Sequence, residues 1–461
     1  MTYSTPLTPS QKNQIVVSKF GGTSMGSAEA MKRSARIVEE RRPKIVVVSA
    51  TSGTTNQLLE ILGYAQVGAK EKTQHCVEEL ISRHQKLCLA LDLSPEIIST
   101  LIQEISQLTQ GIQLLQECSE RAKDRFLSLG ERLSSVIFTD LLKKRGQWKE
   151  KVSCFDVREV MITDSLYSRA TPQIGAIEDC CRRSFKNLRE EDHLYVTQGF
   201  IGRDVFGHTT TLGRGGSDYS ASLLAEGVSA DLVEIWTDVD GMLSIDPKLS
   251  KQAQPIRVIS FREAAEMAIF GAKVLHPTTL APAMRKSIPV YVGSSFEPHM
   301  PGTWIHAQVE PKEAPLFRAV AVKKDQCLVT LSTPKMLNAW GFLAKIFTVF
   351  EHHKVSIDAI TTSEISVALT VDRPVAGNEK LLAELKQLAE VSVEENLAMI
   401  SLIGNQLHQR SGVMSQVFKI LGDEPIRMIC QGASPHHLCL VVEEKRSAQV
   451  ADKLHQLCLS H

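Results

Sequence analysis

Residues 355–371 (VSIDAITTSEISVALTV) superpose without gaps on residues 426–442 (IRMICQGASPHHLCLVV), 71 positions later. A repeat of this kind constrains the fold strongly, because both copies must adopt one supersecondary unit. The same offset pairs Gly341 with Gly412, Phe347 with Phe418 and Ser363 with Ser434. Each copy reads as strand, Gly, amphipathic helix, strand, Ser-containing turn, strand, helix. The first copy ends in a further strand, Glu390 to Glu395, and the second runs out of chain before its last strand. Phe317 to Lys323 (FRAVAVK) could supply the missing one, so the first copy is expected to lie inserted within the second.

The 461 residues are too many for one ordinary core and call for two or three domains. Ahead of the repeat, strand-like and helix-like segments alternate, which argues for a three-layer α/β domain. The strands are Ile15–Val17, Lys44–Ser49, Leu194–Thr197, Leu232–Thr237 and Pro289–Val292; helices are expected over Ala28–Glu40, His75–Leu91 and Ser119–Lys144. Pro298, Pro301, Gly302, Pro311 and Pro315 mark a boundary between the two parts.

Composition removes some classes of function. Lys+Arg and Asp+Glu stand at 52 each, so no basic surface for nucleic acid is expected. No run of about 18 apolar residues suggests a membrane span. Met1 to Gln14 is polar, unlike a secretory leader. Ten cysteines without a CxxC read as reduced thiols of a cytoplasmic protein.

Four segments carry chemistry. Lys19-Phe20-Gly21-Gly22-Thr23-Ser24 follows a strand; its glycines let backbone N–H groups approach an anion, and Lys19 adds a point charge. A Gly-Gly turn is more often only a turn, and no GxxxxGK[ST] pattern is present. Thr210 to Asp218 (TTLGRGGSD) opens a helical stretch with a donor-rich loop in which Arg214 could clamp a carboxylate; a capped helix after a flexible loop is the plain alternative. Trp236 to Gly241 (WTDVDG) and Ser244 to Lys248 (SIDPK) follow a strand end, where ligands collect in open α/β sheets. Phe270 to Pro277 (FGAKVLHP) offers Lys273 as a second phosphate contact, or as a solvated helix-end lysine.

Together these segments resemble the amino-acid kinase family and, within it, the aspartate kinases. The match also takes in Ser49, Ala50, Thr55 and Asn56, Gly130-Glu131 and Gln198 to Gly202 (QGFIG), in the family's order over about residues 15 to 305. The repeat looks like that family's tandem ACT domains, and Met336, Gly341-Phe342-Leu343 and Ser356 to Ile365 look most like its lysine-sensitive branch.

The resemblance implies an α/β/α kinase domain over residues 1–310. It implies two ferredoxin-like (βαββαβ) ACT domains, one over 325–396 and one over 316–324 plus 397–461. It implies transfer of the ATP γ-phosphoryl, with Mg²⁺ on the phosphates, to the β-carboxylate of L-aspartate. That step gives 4-phospho-L-aspartate and opens lysine, threonine and methionine biosynthesis. Lys19 and Asp218 would be catalytic. Glu131 would hold the acceptor's α-ammonium and Arg214 its α-carboxylate, with Ser49, Thr55, Phe200, Gly215, Gly216 and Ser217 completing the pocket. Gly21, Gly22, Thr237, Asp238, Leu243, Asp246, Lys248, Lys273 and Val274 would join Lys19 around ATP. Leu243 stands where the family often has Tyr, and Lys248 where Arg is common.

An allosteric amino acid, lysine or threonine, would meet Met336, Gly341, Phe342, Leu343, Ser356, Ile357, Asp358, Ser363 and Glu364. The carboxylates favour lysine. A homodimer, or a dimer of dimers, through the ACT domains is expected. A glutamate-type kinase and a non-catalytic ACT-based sensor are the alternatives. The acceptor carboxylate is ionised at neutral pH, with an ordinary pKa near about 3.9, so no general base is needed and catalysis reduces to positioning and charge neutralisation.

Overall fold

The computed structural model describes residues 13–146, 151–270, 275, 277–309, 315–337 and 340–459. The described residues pack as two compact units, within Met1–Met242, Arg257–Phe261 and Val274–Gln308, and within Leu243–Ile256, Arg262–Lys273 and Val309–His461.

The strands of the first unit are β1 (Val16–Phe20), β2 (Ile45–Val48), β3 (Val152–Phe155), β4 (Leu194–Gln198), β5 (Ile201–Arg203), β6 (Thr209–Thr211), β7 (Leu232–Thr237), β8 (Val258–Ser260), β9 (Val290–Ser294) and β10 (Thr303–His306). Eight of them form one sheet in the order β3-β4-β2-β1-β7-β9-β10-β8, and β5 and β6 pair separately. The six from β3 to β9 run parallel. Strands buried on both faces read as near-continuous apolar runs, which is what KIVVVS shows.

Helices α1 (Ala28–Arg41), α2 (Thr54–Gln66), α3 (Lys70–Ala90), α4 (Ser99–Leu115), α5 (Glu120–Leu127) and α6 (Leu129–Arg145) share one core with the sheet. Helices α7 (Ile174–Ser184) and α8 (Gly216–Gly227) pack together, and α8 also lies against β1. The Ser27 side chain caps α1 by accepting from Ala30 N, a device worth about 1 kcal/mol. The single helix expected over Ser119–Lys144 is two, α5 and α6. Ser128 at the joint donates its hydroxyl back to Arg125 O at 2.7 Å, a local bond that competes with helix continuation.

A buried polar knot fixes β1 against β7. Glu234 accepts from Ser18 Oγ at 2.7 Å, Arg41 Nε at 2.7 Å and Trp236 Nε1 at 3.1 Å. Removing one partner of such a buried pair costs about 3–5 kcal/mol.

In the second unit, α9 (Phe261–Ile269) precedes α10 (Pro277–Arg285), which itself belongs to the first and packs on α8. The regulatory part holds β11 (Phe317–Ser332), α11 (Phe342–His352), β12 (Ala359–Thr362), β13 (Ser366–Asp372), α12 (Glu379–Leu388), β14 (Glu390–Gly404), α13 (Val413–Leu421), β15 (Met428–Gln431), β16 (His437–Glu443) and α14 (Ser447–Leu459). They form one sheet, β12-β13-β11-β14-β16-β15. The two central strands serve both repeat copies: β11 pairs with β13 from Gln326 to Ser332, while β14 pairs with β16 from Leu397 to Ile403. The strands read as Phe317–Lys323 and Glu390–Glu395 are thus parts of strands of 16 and 15 residues. Each copy has its own core, one around Ile346, Phe350 and Leu369, the other around Val417, Leu440 and Leu454.

The repeated glycines have a conformational reason. Gly341 and Gly412 cap α11 and α13 with φ of 74° and 78°, and nothing lies within 4 Å of a Cβ built on either. Left-handed backbone alone demands glycine there.

Leu243–Ile256, inside the expected kinase domain by sequence, packs with the regulatory part. Ile245 joins the second copy's core, Val320 N donates to Ser244 O at 2.7 Å, and Ser244 Oγ meets His455 Nε2 at 2.7 Å.

Candidate functional site

The expected residues of the first unit gather where ligands collect in such sheets, at the carboxyl ends of parallel strands. Lys19 lies on β1 between its register partners Val47 and Ile235. Its ammonium is buried and paired with the Asp218 carboxylate from the first turn of α8. Gly21 N donates to Trp236 O at 3.1 Å, which draws the glycine turn onto the end of β7. A Cβ on Gly21 would stand 3.6 Å from Lys19 Nζ, and one on Gly22 3.2 Å from Ala50 O. A side chain at Gly21 would lie in contact with the ammonium, and one at Gly22 would crowd the end of β2.

The end of β2 supplies the next part. Ser49 O accepts from Ser134 Oγ at 2.6 Å, and Ala50 N donates to Glu131 Oε1 at 3.1 Å. Glu131 is 3% exposed, and its second oxygen has no hydrogen-bond partner among the described residues. Burial pushes its pKa up to about 8, against the pull of the Ala50 amide. Burial therefore favours the neutral acid, and the ionised form is stable here only with a cation beside it. Thr55 is half-buried near the start of α2.

Beyond β4, Phe200 is held at φ 69° by two bonds: its N–H donates to Ser220 Oγ at 3.0 Å, and its carbonyl accepts from Leu212 N at 2.9 Å. A Cβ on Gly216 would stand 2.8 Å from the Phe200 ring, and one on Gly199 2.6 Å from Ser217 Cβ. The QGFIG and GRGGSD segments therefore fit together only because glycine stands at both contacts. Arg214 is exposed between two left-handed glycines, Gly213 and Gly215, with φ of 76° and 75°.

Thr237 ends β7, and Asp238 follows it. Thr237 O accepts from Ser295 N at 2.7 Å, and Thr237 Oγ1 donates to Asp238 Oδ1 at 3.2 Å. Leu243, Asp246 and Lys248 lie in the second unit, where Asp246 Oδ1 accepts from Lys248 N at 2.9 Å and both residues are exposed. Lys273 and Val274 fall outside the described residues. Among the described residues, no group of three or more His, Cys, Asp or Glu is placed to hold a metal ion.

Sequence reasoning passed over two groups. Asp124 on α5 is fully buried and accepts from Ser168 N, Thr211 N and Thr211 Oγ1, which fixes the strand leading to Arg214. Burial raises its pKa against those donors. An acid among the buried residues of a short helix, beside Phe126 and Leu127, was the available signal. Ser24 and Ser295 join their hydroxyls at 2.7 Å and stitch the glycine turn to the end of β9; two serines in a strand-end turn give no comparable signal.

In the regulatory part, Met336, Leu337, Gly341, Phe342, Leu343, Ser363 and Glu364 surround a cavity of about 340 Å³. Six of the nine expected effector residues thus meet in one place. Ser356 is exposed, Ile357 packs on the first copy's core, and neither Ser356, Ile357 nor Asp358 lines that cavity. Asp358 already has a cation: Lys323 Nζ stands 2.5 Å from its Oδ2 and 3.0 Å from Asp372 Oδ1. Burial works against that ammonium, but the two carboxylates outweigh it and raise its pKa.

Residues 14–294 match the model of the amino acid kinase family, and residues 400–457 match an ACT domain. The lysine-sensitive aspartokinase 3 of Escherichia coli (strain K12) is 43% identical over 459 residues, covering 96% of this chain and 99% of that protein. Aspartokinase 1, chloroplastic, of Arabidopsis thaliana is 32% identical over 97% of this chain and 80% of its own length. The solved structure of E. coli aspartokinase III in complex with aspartate and ADP (R-state) is 42% identical, with a TM-score of 0.84 over 97% of this chain and 100% of that one. The same enzyme in complex with lysine and aspartate (T-state) gives a TM-score of 0.78 at 42% identity, over 96% and 99% of the two chains. Whole-length similarity of this order, on top of a shared fold, shows that the chain belongs to the amino acid kinase family, in its aspartokinase branch with C-terminal ACT domains.

Proposed function

We propose that this chain phosphorylates L-aspartate on its β-carboxylate at the expense of ATP, and that L-lysine inhibits it. The observation that carries the reading is Glu131: a buried carboxylate with one oxygen on the Ala50 amide and the other unpartnered. The α-ammonium of a free amino acid supplies the cation this group lacks. Exposed Arg214 takes the α-carboxylate as a planar two-pronged donor. Ser49, Thr55, Phe200, Gly215, Gly216 and Ser217 shape the remaining wall.

The glycine turn beside Lys19 suits a triphosphate, and Thr237 and Asp238 flank it at the end of β7. ATP with Mg²⁺ supplies the phosphoryl group and part of the counter-charge. Lys19 stabilises the negative charge of the transferring group, and Asp218 holds the ammonium in line. No general base is required, because the attacking carboxylate is already ionised. In domain terms, residues 1–310 carry catalysis, while 325–396 and 316–324 plus 397–461 carry regulation. The ten cysteines are all free thiols, which suits the cytoplasm.

Acceptor choice tests this reading. L-aspartate should drive ADP release, and N-acetyl-L-aspartate should not, because acetylation removes the ammonium that Glu131 holds. Comparable turnover of the two would sink the assignment of Glu131.

Lysine is assigned to the cavity around Glu364, an exposed carboxylate at a site lined by Met336, Phe342 and Leu343. Beside it Trp340, Leu337, Ile365 and Phe347 leave apolar surface exposed, at 97%, 52%, 52% and 39%, which supports pairing of two chains through this module. Glu364→Ala should raise the inhibitory lysine concentration by about 5–150-fold and leave kcat without lysine unchanged. Inhibition curves together with calorimetric lysine binding check this; a variant inhibited like the wild type would remove Glu364 from the site. Asp358→Ala is the weaker test, because Lys323 already meets that charge.

A further inference from the structure

Behind the acceptor pocket runs a chain of buried polar groups with no part in the scheme above. Thr51, Thr54 and His84 are 4%, 0% and 1% exposed. His84, on α3, places Nδ1 2.8 Å from Leu80 O, a carbonyl that can only accept, so Nδ1 carries the hydrogen. Nε2 must then accept, and it takes the Thr51 hydroxyl at 3.1 Å. Thr51 has spent its hydrogen, so at 2.5 Å it accepts from Thr54 Oγ1. Thr54 in turn accepts from Arg83 Nη2 at 2.6 Å, while Arg83 Nη1 donates to Ser52 O at 3.3 Å. The hydrogens all point one way, from guanidinium to imidazole, and only a neutral His84 allows this. Burial keeps it neutral by pushing its pKa down to about 4.

These groups grip one short turn. Thr54 N donates to Thr51 O at 3.0 Å, and Gly53 between them sits at φ 79°. The turn joins Ser49 and Ala50 at the end of β2 to Thr55 on α2. From the other side α6 presses on it: a Cβ on Gly130 would stand 2.9 Å from Ala50 Cβ and 3.3 Å from Thr54 Cγ2. The turn is therefore clamped between α3 and the helix that carries Glu131. Burying several polar groups is unfavourable unless every one is paired, and a fully paired network specifies a single geometry.

We propose that His84 and Arg83 are positioning residues for the acceptor: acting through Thr51 and Thr54, they hold Thr55, Ser49 and the Ala50 amide in register with Glu131. The proposal rests on the reading of Glu131 and Thr55 as acceptor contacts. Neither residue touches the substrate, so their loss should appear in acceptor binding and not in the phosphoryl-transfer step.

The test is steady-state kinetics on the full-length His84→Leu, His84→Gln, Arg83→Met and Glu131→Gln proteins, with thermal melts alongside. His84→Leu keeps the bulk but leaves the Thr51 hydroxyl without its acceptor. It should raise KM for aspartate about tenfold, with kcat and KM for ATP within about twofold. His84→Gln should recover most of that loss, because its amide oxygen can take the Thr51 hydrogen. Arg83→Met, on the solvent side of the network, should give the same sign if His84→Leu fails to fold. A lowered melting temperature with an unchanged KM for aspartate in both variants would show a merely structural network and overturn the proposal. Glu131→Gln separates the two readings: if it too leaves KM for aspartate unchanged, the acceptor site itself has been misplaced.

Discussion

Lys19→Ala should lower kcat by about 10²–10³ while the protein remains folded, since removing one preorganised charge from a developing anion typically has that effect. Lys19 is the cation on β1 beside the glycine turn, and its Asp218 partner keeps it from rotating away. The alanine variant also leaves Asp218 without its cation, so the double variant Lys19→Ala/Asp218→Asn should be no slower than Lys19→Ala alone. Such non-additivity marks residues that act as a unit. Single-turnover rates at saturating ATP and aspartate provide the check. A Lys19→Ala enzyme that keeps more than about a tenth of the wild-type rate would demote the residue from catalysis to structure.

The second large effect belongs to Glu131. Glu131→Gln keeps the shape and the bond from Ala50 but cannot meet an ammonium with charge. A charged hydrogen bond in a buried site is worth about 1.5–3 kcal/mol, so kcat/KM for aspartate should fall on the order of 10–10²-fold. The pH dependence provides an independent signature. The acceptor-free carboxylate has its pKa raised from 4.5 to about 8 by burial. Between those values the folded state binds more protons than the unfolded state, so the free enzyme loses stability as pH rises through that window. Aspartate has the opposite preference: its ammonium needs the ionised form. Binding below about pH 8 should therefore release a proton, and kcat/KM for aspartate should climb with pH toward that value. In Glu131→Gln the climb should disappear. A wild-type profile that is flat from pH 6 to 8 would contradict the shifted carboxylate.

What could be read from the chain, and what could not, divides along a physical line. Gly341 and Gly412 announced the repeat because a left-handed N-cap calls for glycine at the same place in both copies. The glycines of GRGGSD were legible for a similar reason: Gly213 and Gly215 are left-handed, and Phe200 leaves no room for a Cβ on Gly216. The strand limits in the regulatory sheet were not legible. β11 and β14 continue from one copy into the other without a break, and alternation along a strand carries no sign of a change of partner.

The packing of Leu243–Ile256 was invisible for a different reason: Ile245 is an ordinary apolar residue whose core lies far along the chain, with Phe317 and Leu454. Polar networks were the hardest. His84 and Ser295 act through partners 33 and 271 residues away, and a lone His or Ser has no spacing that points to them. Asp358 shows the converse. Its place in the motif suggested an effector carboxylate, and only the fold reveals that Lys323 already stands against it.

Hydroxylamine trapping tests the central claim most directly. An acyl phosphate on the aspartate side chain reacts with hydroxylamine to a coloured hydroxamate, which distinguishes phosphorylation of a carboxyl group from simple ATP hydrolysis. With purified full-length protein, Mg²⁺ and ATP, L-aspartate should yield hydroxamate in step with ADP. L-glutamate should yield little, and added L-lysine should suppress the signal. ADP release without hydroxamate, or equal hydroxamate from glutamate, would contradict the account.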